Sequence, residues 1–263
     1  MFSYKGDILK GIIGGTGISN ILKTGEEKVI ETKYGRAKLL IDEDKDIVLL
    51  FRHGINHNTP PHRINYRANI YALYELSVDE ILAINSVGSL KDNIKPGSFF
   101  IPNDFMEFTK VRECTYYNGE DGKVVHIDLS EPYCPTVVYK IKKILDNYNY
   151  PYNEGVYICT EGPRFETKSE IMFYKNYGDV VGMTGYPEVV LAKELGLCYG
   201  SLCTVSNYCT GISKRPLTVK EVFDNIKLME NKIINIIKSY ISDKECSSGK
   251  ICNCKSILKD AII

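Results

Sequence analysis

Apolar residues in this chain recur in short, uninterrupted runs. They occur at Gly11 to Gly15, Ile47 to Phe51, Ile81 to Asn85, Ser98 to Ile101, Val156 to Cys159, Val180 to Met183 and Tyr199 to Ser206. Runs without polar alternation suit strands covered on both faces. Between them the period changes. Arg63 to Leu76 carries Ile64, Ala68 and Tyr71 at helical spacing, and Pro135 to Leu145 opens on proline and continues a stripe of Val138, Ile141, Ile144 and Leu145. Pro187 to Gly196 starts with Pro and Glu and stops at Gly, as a helix does. The clearest helix follows Thr218-Val219-Lys220-Glu221, a capping box, with Val219, Val222, Phe223, Ile226, Met229, Ile233, Ile236 and Ile237 on its stripe. Strands alternating with helices predict an α/β sandwich.

No composition break or internal repeat divides the chain, so residues 1–241 are expected to form one domain. Asn118 to Lys123 reads as a surface turn. From Ser242 the chain turns polar, and residues 242–263 are expected to fray as a cysteine-containing tail.

The chain has 263 residues, enough to bury a large core without covalent staples, and Lys+Arg and Asp+Glu stand at 33 each. That balance gives no global field directed at nucleic acid or an anionic membrane. The first residues lack an apolar signal segment, and no apolar run reaches the ~20 residues of a membrane span. A cytoplasmic protein is expected. Nine cysteines is a high count. Cys159, Cys198 and Cys203 fall in apparent strands, and Cys246, Cys252 and Cys254 crowd the tail. A metal site would want a second pair at zinc-like spacing beside Cys252 and Cys254, and none is present, so free thiols and no metal are expected.

Three strand ends carry anion-binding residue types. Gly14-Gly15-Thr16-Gly17 allows backbone N–H groups and a hydroxyl to approach an anion, yet lacks the third glycine of a dinucleotide fingerprint and the Gly-Lys-Ser/Thr of a P-loop. An NAD-linked enzyme is thereby disfavoured. Phe51-Arg52-His53-Gly54 adds a rigid guanidinium fork. Asn85-Ser86-Val87-Gly88-Ser89 ends a third run in small polar residues. A single such end is common in tight turns and surface pairs. Three in series mark the carboxyl ends of strands, where α/β sheets bind ligands.

Further along lie Gly162-Pro163-Arg164-Phe165-Glu166-Thr167, Met183-Thr184-Gly185-Tyr186-Pro187-Glu188, Leu191-Ala192-Lys193-Glu194 and Val205-Ser206-Asn207-Tyr208. With Gly-Gly-Thr-Gly, Arg-His-Gly and Asn65-Tyr66-Arg67-Ala68-Asn69-Ile70, these motifs stand in the order of the trimeric purine nucleoside phosphorylase and methylthioadenosine phosphorylase family. The chain resembles that family from about Gly11 to about Val222. The resemblance implies a single-domain three-layer α/β/α sandwich around a central mixed, largely parallel twisted sheet. It implies reversible phosphorolysis of a purine nucleoside to free purine and a pentose 1-phosphate, with phosphate as co-substrate and no cofactor. It also implies a homotrimer or a dimer of trimers. Carried over by position, Thr16, Arg52, His53, Asn85, Ser86 and Thr184 would hold phosphate. Met183 would pack under the ribose, Phe165 would lie against the base, and Glu166 and Asn207 would bind its edge. Asn207, His53 and Glu166 would be the catalytic groups, and His57 matches a family position near a subunit boundary.

The adenine-preferring branch carries Asp where this chain has Asn207, and Asp again at Cys209. A carboxylate only accepts, whereas a carboxamide donates and accepts. Asn207 can donate to O6 of hypoxanthine or guanine while accepting from N7–H, and Glu166 can accept the N1–H that adenine lacks. The chain therefore departs toward 6-oxopurines. At the sugar, Val219 and Val222 point to an apolar cover, and no histidine follows Asn207 to bond a 5′-hydroxyl; inosine, guanosine and S-methyl-5′-thioinosine all stay open. Two alternatives remain, a methylthioadenosine phosphorylase that tolerates Asn207 and a non-catalytic nucleoside- or phosphate-binding protein on the same fold.

Overall fold

The computed structural model describes residues 9–14, 25–42, 46–120, 122–213, 216–243, 252–259 and 261–262. Its strands are β1 (Lys10–Gly14), β2 (Glu26–Thr32), β3 (Gly35–Asp42), β4 (Ile47–Phe51), β5 (Glu80–Ser89), β6 (Phe99–Phe108), β7 (Tyr152–Thr160), β8 (Val180–Gly182) and β9 (Cys198–Tyr208). The helices are α1 (Tyr66–Glu75), α2 (Pro135–Asn147), α3 (Lys168–Tyr174), α4 (Gly185–Glu194) and α5 (Val219–Ser242). Every apolar run read as a strand is one. The hairpin β2–β3 and the short α3 were not anticipated. Thr218 caps α5 by accepting from the Glu221 N–H at 3.1 Å, while the complete reciprocal box sits at α3, between Thr167 and Glu170.

The sheet is mixed, in the order β2-β3-β4-β1-β5-β8-β7-β6-β9, and β9 also pairs with β5. Parallel pairing joins β4, β1, β5 and β9 in sequence across the centre. Here alternate residues face opposite ways. Ile13, Val48, Leu50, Ile81 and Ala83 pack with α1 and α4, and Ile12, Leu49, Leu82 and Ile84 pack with α2 and α5. This half is layered helix, sheet, helix. The other half is not an open sandwich. From β5 the sheet continues through β8, β7 and β6 to β9, which returns to β5, so five strands close into a ring. A third cluster takes Val87, Phe100, Tyr157, Val180 and Cys203, one residue from each ring strand. Closure removes exposed edges that an open sheet would have to cover.

The tail does not simply fray. Residues 252–259 return to the body, where Cys254 is buried and the Lys255 Nζ meets Asp79 Oδ1 at 3.1 Å; His126 N–H donates to Ala261 O at 2.9 Å. Among the described residues no helix is long and apolar enough to cross a membrane.

The start of β5 carries a buried ion pair. Lys140 of α2 donates to both Glu80 oxygens at 3.0 and 3.1 Å, and the Tyr240 hydroxyl of α5 donates to Glu80 Oε2 at 3.1 Å. All three are at most 2 % exposed, so both helices are pinned to the sheet by one carboxylate. Lys140→Met leaves that carboxylate buried without its cation and should lower the unfolding free energy by about 3–5 kcal/mol in urea. Replacing both partners with apolar residues, Glu80→Leu with Lys140→Met, should recover most of that loss. If the single substitution is neutral, the pair does not pin the helices.

Candidate active site

One cavity gathers the residues that end the central strands. Arg52 and His53 follow β4, Asn85 to Gly88 close β5, Met183 and Thr184 follow β8, and Ser206 and Asn207 lie near the end of β9. Phe165 and Glu166 come from the turn after β7. Strands that run in parallel and stop together leave a crevice at their carboxyl ends. Every site residue expected from the sequence lies in this cavity except Thr16, which falls outside the described residues.

Arg52 is 3 % exposed and its guanidinium is held on three sides. Nε and Nη2 donate to the two Glu188 oxygens at 2.7 and 2.9 Å, and Nη1 donates to the Ile84 carbonyl at 2.6 Å. The Tyr199 hydroxyl steadies Glu188 with a 3.0 Å bond. Burial opposes the charge on Arg52, but Glu188 outweighs it and keeps the group cationic. A guanidinium has more N–H groups than these bonds use, so donors remain for an anion.

His53 sits beside it, with Nδ1 2.8 Å from the Thr59 carbonyl and its ring centroid 4.6 Å from that of His57. A carbonyl only accepts, so Nδ1 carries the proton and Nε2 is the ring position left for a ligand. Burial pushes His53 down to about 4, and the Arg52 and His57 charges push the same way, against the Thr59 contact. The neutral ring can accept an O–H at Nε2.

Two polar networks reach the cavity. In one, Thr184 Oγ1 donates to Asn85 Oδ1 at 2.8 Å, and Asn85 Nδ2 donates to Ser201 Oγ at 2.7 Å. The backbone N–H groups of Thr184 and Gly185 both point at the Tyr157 hydroxyl. Asn85 is thus engaged at both ends of its amide in orienting Thr184. In the other, Ser86 Oγ donates to Ser206 Oγ at 3.0 Å, and Ser206 donates to Asn207 Oδ1 at 2.7 Å. Asn207 Nδ2 donates to the Tyr208 carbonyl at 3.0 Å. Because that carbonyl cannot donate, the amide can be oriented only one way, with one N–H and one carbonyl lone pair left over.

Gly88 permits this arrangement. A Cβ there would lie 2.9 Å from Asn207 Nδ2 and 2.8 Å from Cys209 Sγ. Gly162, at φ +65°, does the same for the Phe165 turn, since a Cβ would fall 2.6 Å from Met183 Sδ. Glu166 accepts from Thr160 Oγ1 at 2.7 Å, and burial raises its carboxyl above the usual range despite that bond. Phe165 is 36 % exposed and presents an open ring.

Several residues escaped the sequence reading. Glu188 was part of a motif, but its pairing with Arg52 needed the fold. Ser206 lay inside an apolar run and gave no polar signal of its own. Arg112, in a loop without periodicity, donates to the carbonyls of Thr160, Glu161 and Tyr186 and so ties the Glu166 turn to the start of α4. Of the apolar cover expected from Val219 and Val222, Val222 lines the cavity with Leu217 and Ile226, whereas Val219 is 58 % exposed.

Comparison with known proteins gives a consistent picture. Residues 10–242 match the family described as the phosphorylase superfamily. The chain is 62% identical over 253 residues to a Methanocaldococcus jannaschii protein named "Probable S-methyl-5'-thioinosine phosphorylase", covering 96% of this chain and 99% of that one. It is 42% identical to a Pyrococcus furiosus protein named 6-oxopurine nucleoside phosphorylase, covering 95% and 97%. Among solved structures, Schistosoma mansoni methylthioadenosine phosphorylase in complex with adenine superposes with a TM-score of 0.90 at 29% identity, covering 97% of this chain and 98% of that one.

His53 generates a pH prediction. Its folded pKa of about 4 lies below the ordinary 6.5, so between these values the unfolded chain binds a proton that the folded chain refuses. Stability contributed through His53 therefore falls as pH drops through that window. Unfolding free energies of the native chain and His53→Gln, measured across it, should converge toward the acid end or cross. A constant difference would show that the ring is not held neutral.

Proposed function

The chain belongs to the phosphorylase superfamily, and on that premise we propose a reading of its site. The enzyme is a purine nucleoside phosphorylase, a pentosyltransferase that reversibly cleaves 6-oxopurine nucleosides with phosphate. A phosphate oxygen forms a bond to C1′ as the C1′–N9 bond breaks. The electron pair goes into the purine, which leaves as the free base after taking up at a ring nitrogen the proton that hydrogen phosphate loses in becoming the sugar phosphate. The sugar passes through an oxocarbenium-like state, as in glycoside hydrolysis, with phosphate in the place of water.

The roles follow from what each group can still do. Arg52 supplies the fixed charge for phosphate, with Ser86, Thr184 and His53 around it. Thr16 is assigned to the same anion by its sequence position. Asn85 holds Thr184 in place. Met183 lies under the ribose and Phe165 stacks on the base. Glu166 accepts N1–H, and Asn207 donates to O6 and accepts N7–H, which stabilises the charge developing on the leaving purine. A donor aimed at such charge is worth about 3–4 kcal/mol. No cofactor or metal takes part in this chemistry, and the enzyme works in the cytoplasm as a homotrimer or a dimer of trimers.

The observation that carries the base assignment is the clamp on Asn207. Its Oδ1 receives Ser206 and its Nδ2 meets the acceptor-only Tyr208 carbonyl, so the free N–H and lone pair have fixed places. A 6-aminopurine would offer a donor to the donor and lack the N1–H that Glu166 needs. Methylthioadenosine is therefore the weaker substrate. The apolar wall of Leu217, Val222 and Ile226 supports a 5′-methylthio group over a 5′-hydroxyl, making S-methyl-5′-thioinosine the favoured member of the class.

Release of free base from inosine, guanosine, S-methyl-5′-thioinosine, adenosine and methylthioadenosine, with and without phosphate, tests this reading. Phosphate-dependent cleavage should favour the 6-oxopurines by roughly 10²- to 10⁴-fold in kcat/KM, because adenine leaves buried groups mispaired. Asn207→Asp should lower activity on the best 6-oxopurine by about 10²-fold and narrow the gap to methylthioadenosine. Preference for methylthioadenosine in the native enzyme would overturn the base assignment, and binding without cleavage would overturn the enzymatic one.

A further inference from the structure

Four cysteines far apart in sequence meet at the end of the sheet opposite the cavity. Cys134 is the N-cap of α2, Cys198 is the first residue of β9, and Cys252 and Cys254 belong to the returning tail. Their sulfur atoms all lie within 4.8 Å of one another, and Cys198 and Cys252 approach to 3.6 Å. A tetrahedral ion with metal–sulfur bonds of about 2.3 Å sets its sulfurs about 3.8 Å apart, which this quartet meets with small side-chain adjustments. Cys134, Cys198 and Cys254 are at most 7 % exposed, and Cys252 is half-buried at the rim. Cys114, Cys159, Cys203 and Cys209 lie outside the group.

The spacing test that spoke against a metal considered only neighbours in sequence. Cys252-x-Cys254 supplies one pair, and the fold supplies the second by placing the N-cap of α2 against the start of β9, where Cys134 N–H donates to the Tyr199 carbonyl at 2.8 Å. We propose that Cys134, Cys198, Cys252 and Cys254 form a tetrathiolate zinc site that fastens the carboxy-terminal segment to the sheet. On binding, four S–H bonds break, four zinc–sulfur bonds form and four protons leave to solvent, with no change in oxidation state. Four protein ligands leave no open coordination position, so the site is structural rather than catalytic. Its place on β9 agrees, since Cys198 begins the strand whose other end carries Asn207.

The ion would link α2, β9 and the tail, whose Lys255 otherwise reaches the body at Asp79, just before β5. Because ligand binding to the folded state alone is folding free energy, the zinc should raise the melting temperature. It should leave turnover untouched.

The full-length chain, purified reduced and without chelator, should carry about one zinc ion per chain by elemental analysis. Cobalt exchanged for it should show the visible absorption of a tetrahedral thiolate complex. Cys252→Ser with Cys254→Ser should lose the metal and melt several degrees lower, with kcat/KM unchanged at moderate temperature. Cys114→Ser should keep the metal. Three results would each overturn the site: reduced protein that neither carries zinc nor takes it up stoichiometrically when offered, a disulfide between two of the four in the protein as isolated, or equal zinc in the double variant. Because activity is read separately, the loss of this site would not touch the assignment of the reaction.

Discussion

The buried pair of Arg52 and Glu188 is the constraint around which the catalytic end is arranged. A guanidinium at 3 % exposure is tolerated only beside a carboxylate that takes both its forward N–H groups. Glu188 comes from α4 and is itself steadied by Tyr199 of β9, while Arg52 ends β4 and bonds the Ile84 carbonyl of β5. Four elements are thereby fixed relative to one charge. The pairing also moderates that charge. On the proposed reading, in which phosphate binds at Arg52, a cation already matched by Glu188 offers directed N–H groups with little net field. His53 complements it with a ring that burial holds neutral.

The two polar networks then divide the work. The Asn85–Thr184–Tyr157 group fixes hydroxyl and backbone positions at the cavity, where the proposed reading puts the anion. The Ser86–Ser206–Asn207 chain joins, in two hydrogen bonds, the residues that the proposed reading gives to the anion and to the base. On the proposed reading, an anion drawing on the Ser86 hydroxyl would change what Ser206 receives, and so what Asn207 presents to the purine. Such a chain is worth more than separate bonds, because each member orients the next in a medium of low dielectric.

Much of this was legible in the sequence, and the omissions have physical reasons. Strands buried on both faces announce themselves as apolar runs, so β1, β4, β5, β6, β7, β8 and β9 were visible. The hairpin β2–β3 was not, because it faces water on one side: Arg36 and Lys38 are exposed while Ala37, Leu39 and Ile41 are buried. That period-two signal is short and interrupted by charge. Ring closure was invisible for a different reason, since the pairing of β9 with β5 and β6 is a long-range choice that no local pattern encodes. At the site, residue types at strand ends pointed to residues that line the cavity, but their partners, such as Glu188 for Arg52 and Ser206 for Asn207, depend on which strands lie side by side. The cysteines illustrate the same limit. Cys252 and Cys254 were conspicuous, whereas Cys198 read as a strand thiol and Cys134 gave no signal until the fold set them together.

The length of β9 explains how these demands coexist. Its eleven residues are nearly all buried, and its two ends have opposite requirements. At Asn207, on the proposed reading, the groups must be exact in direction yet leave donors and acceptors unfilled for a substrate that comes and goes. At Cys198, beside Glu80 in register, nothing needs to move, and every ligand or charge can be fully satisfied. Rigid, closed interactions are therefore placed where they fasten α2, α5 and the tail to the sheet, and unsatisfied ones where the strands stop. A change at the closed end is felt as stability and a change at the open end as chemistry, because the covered strand between them carries position but exchanges no charge.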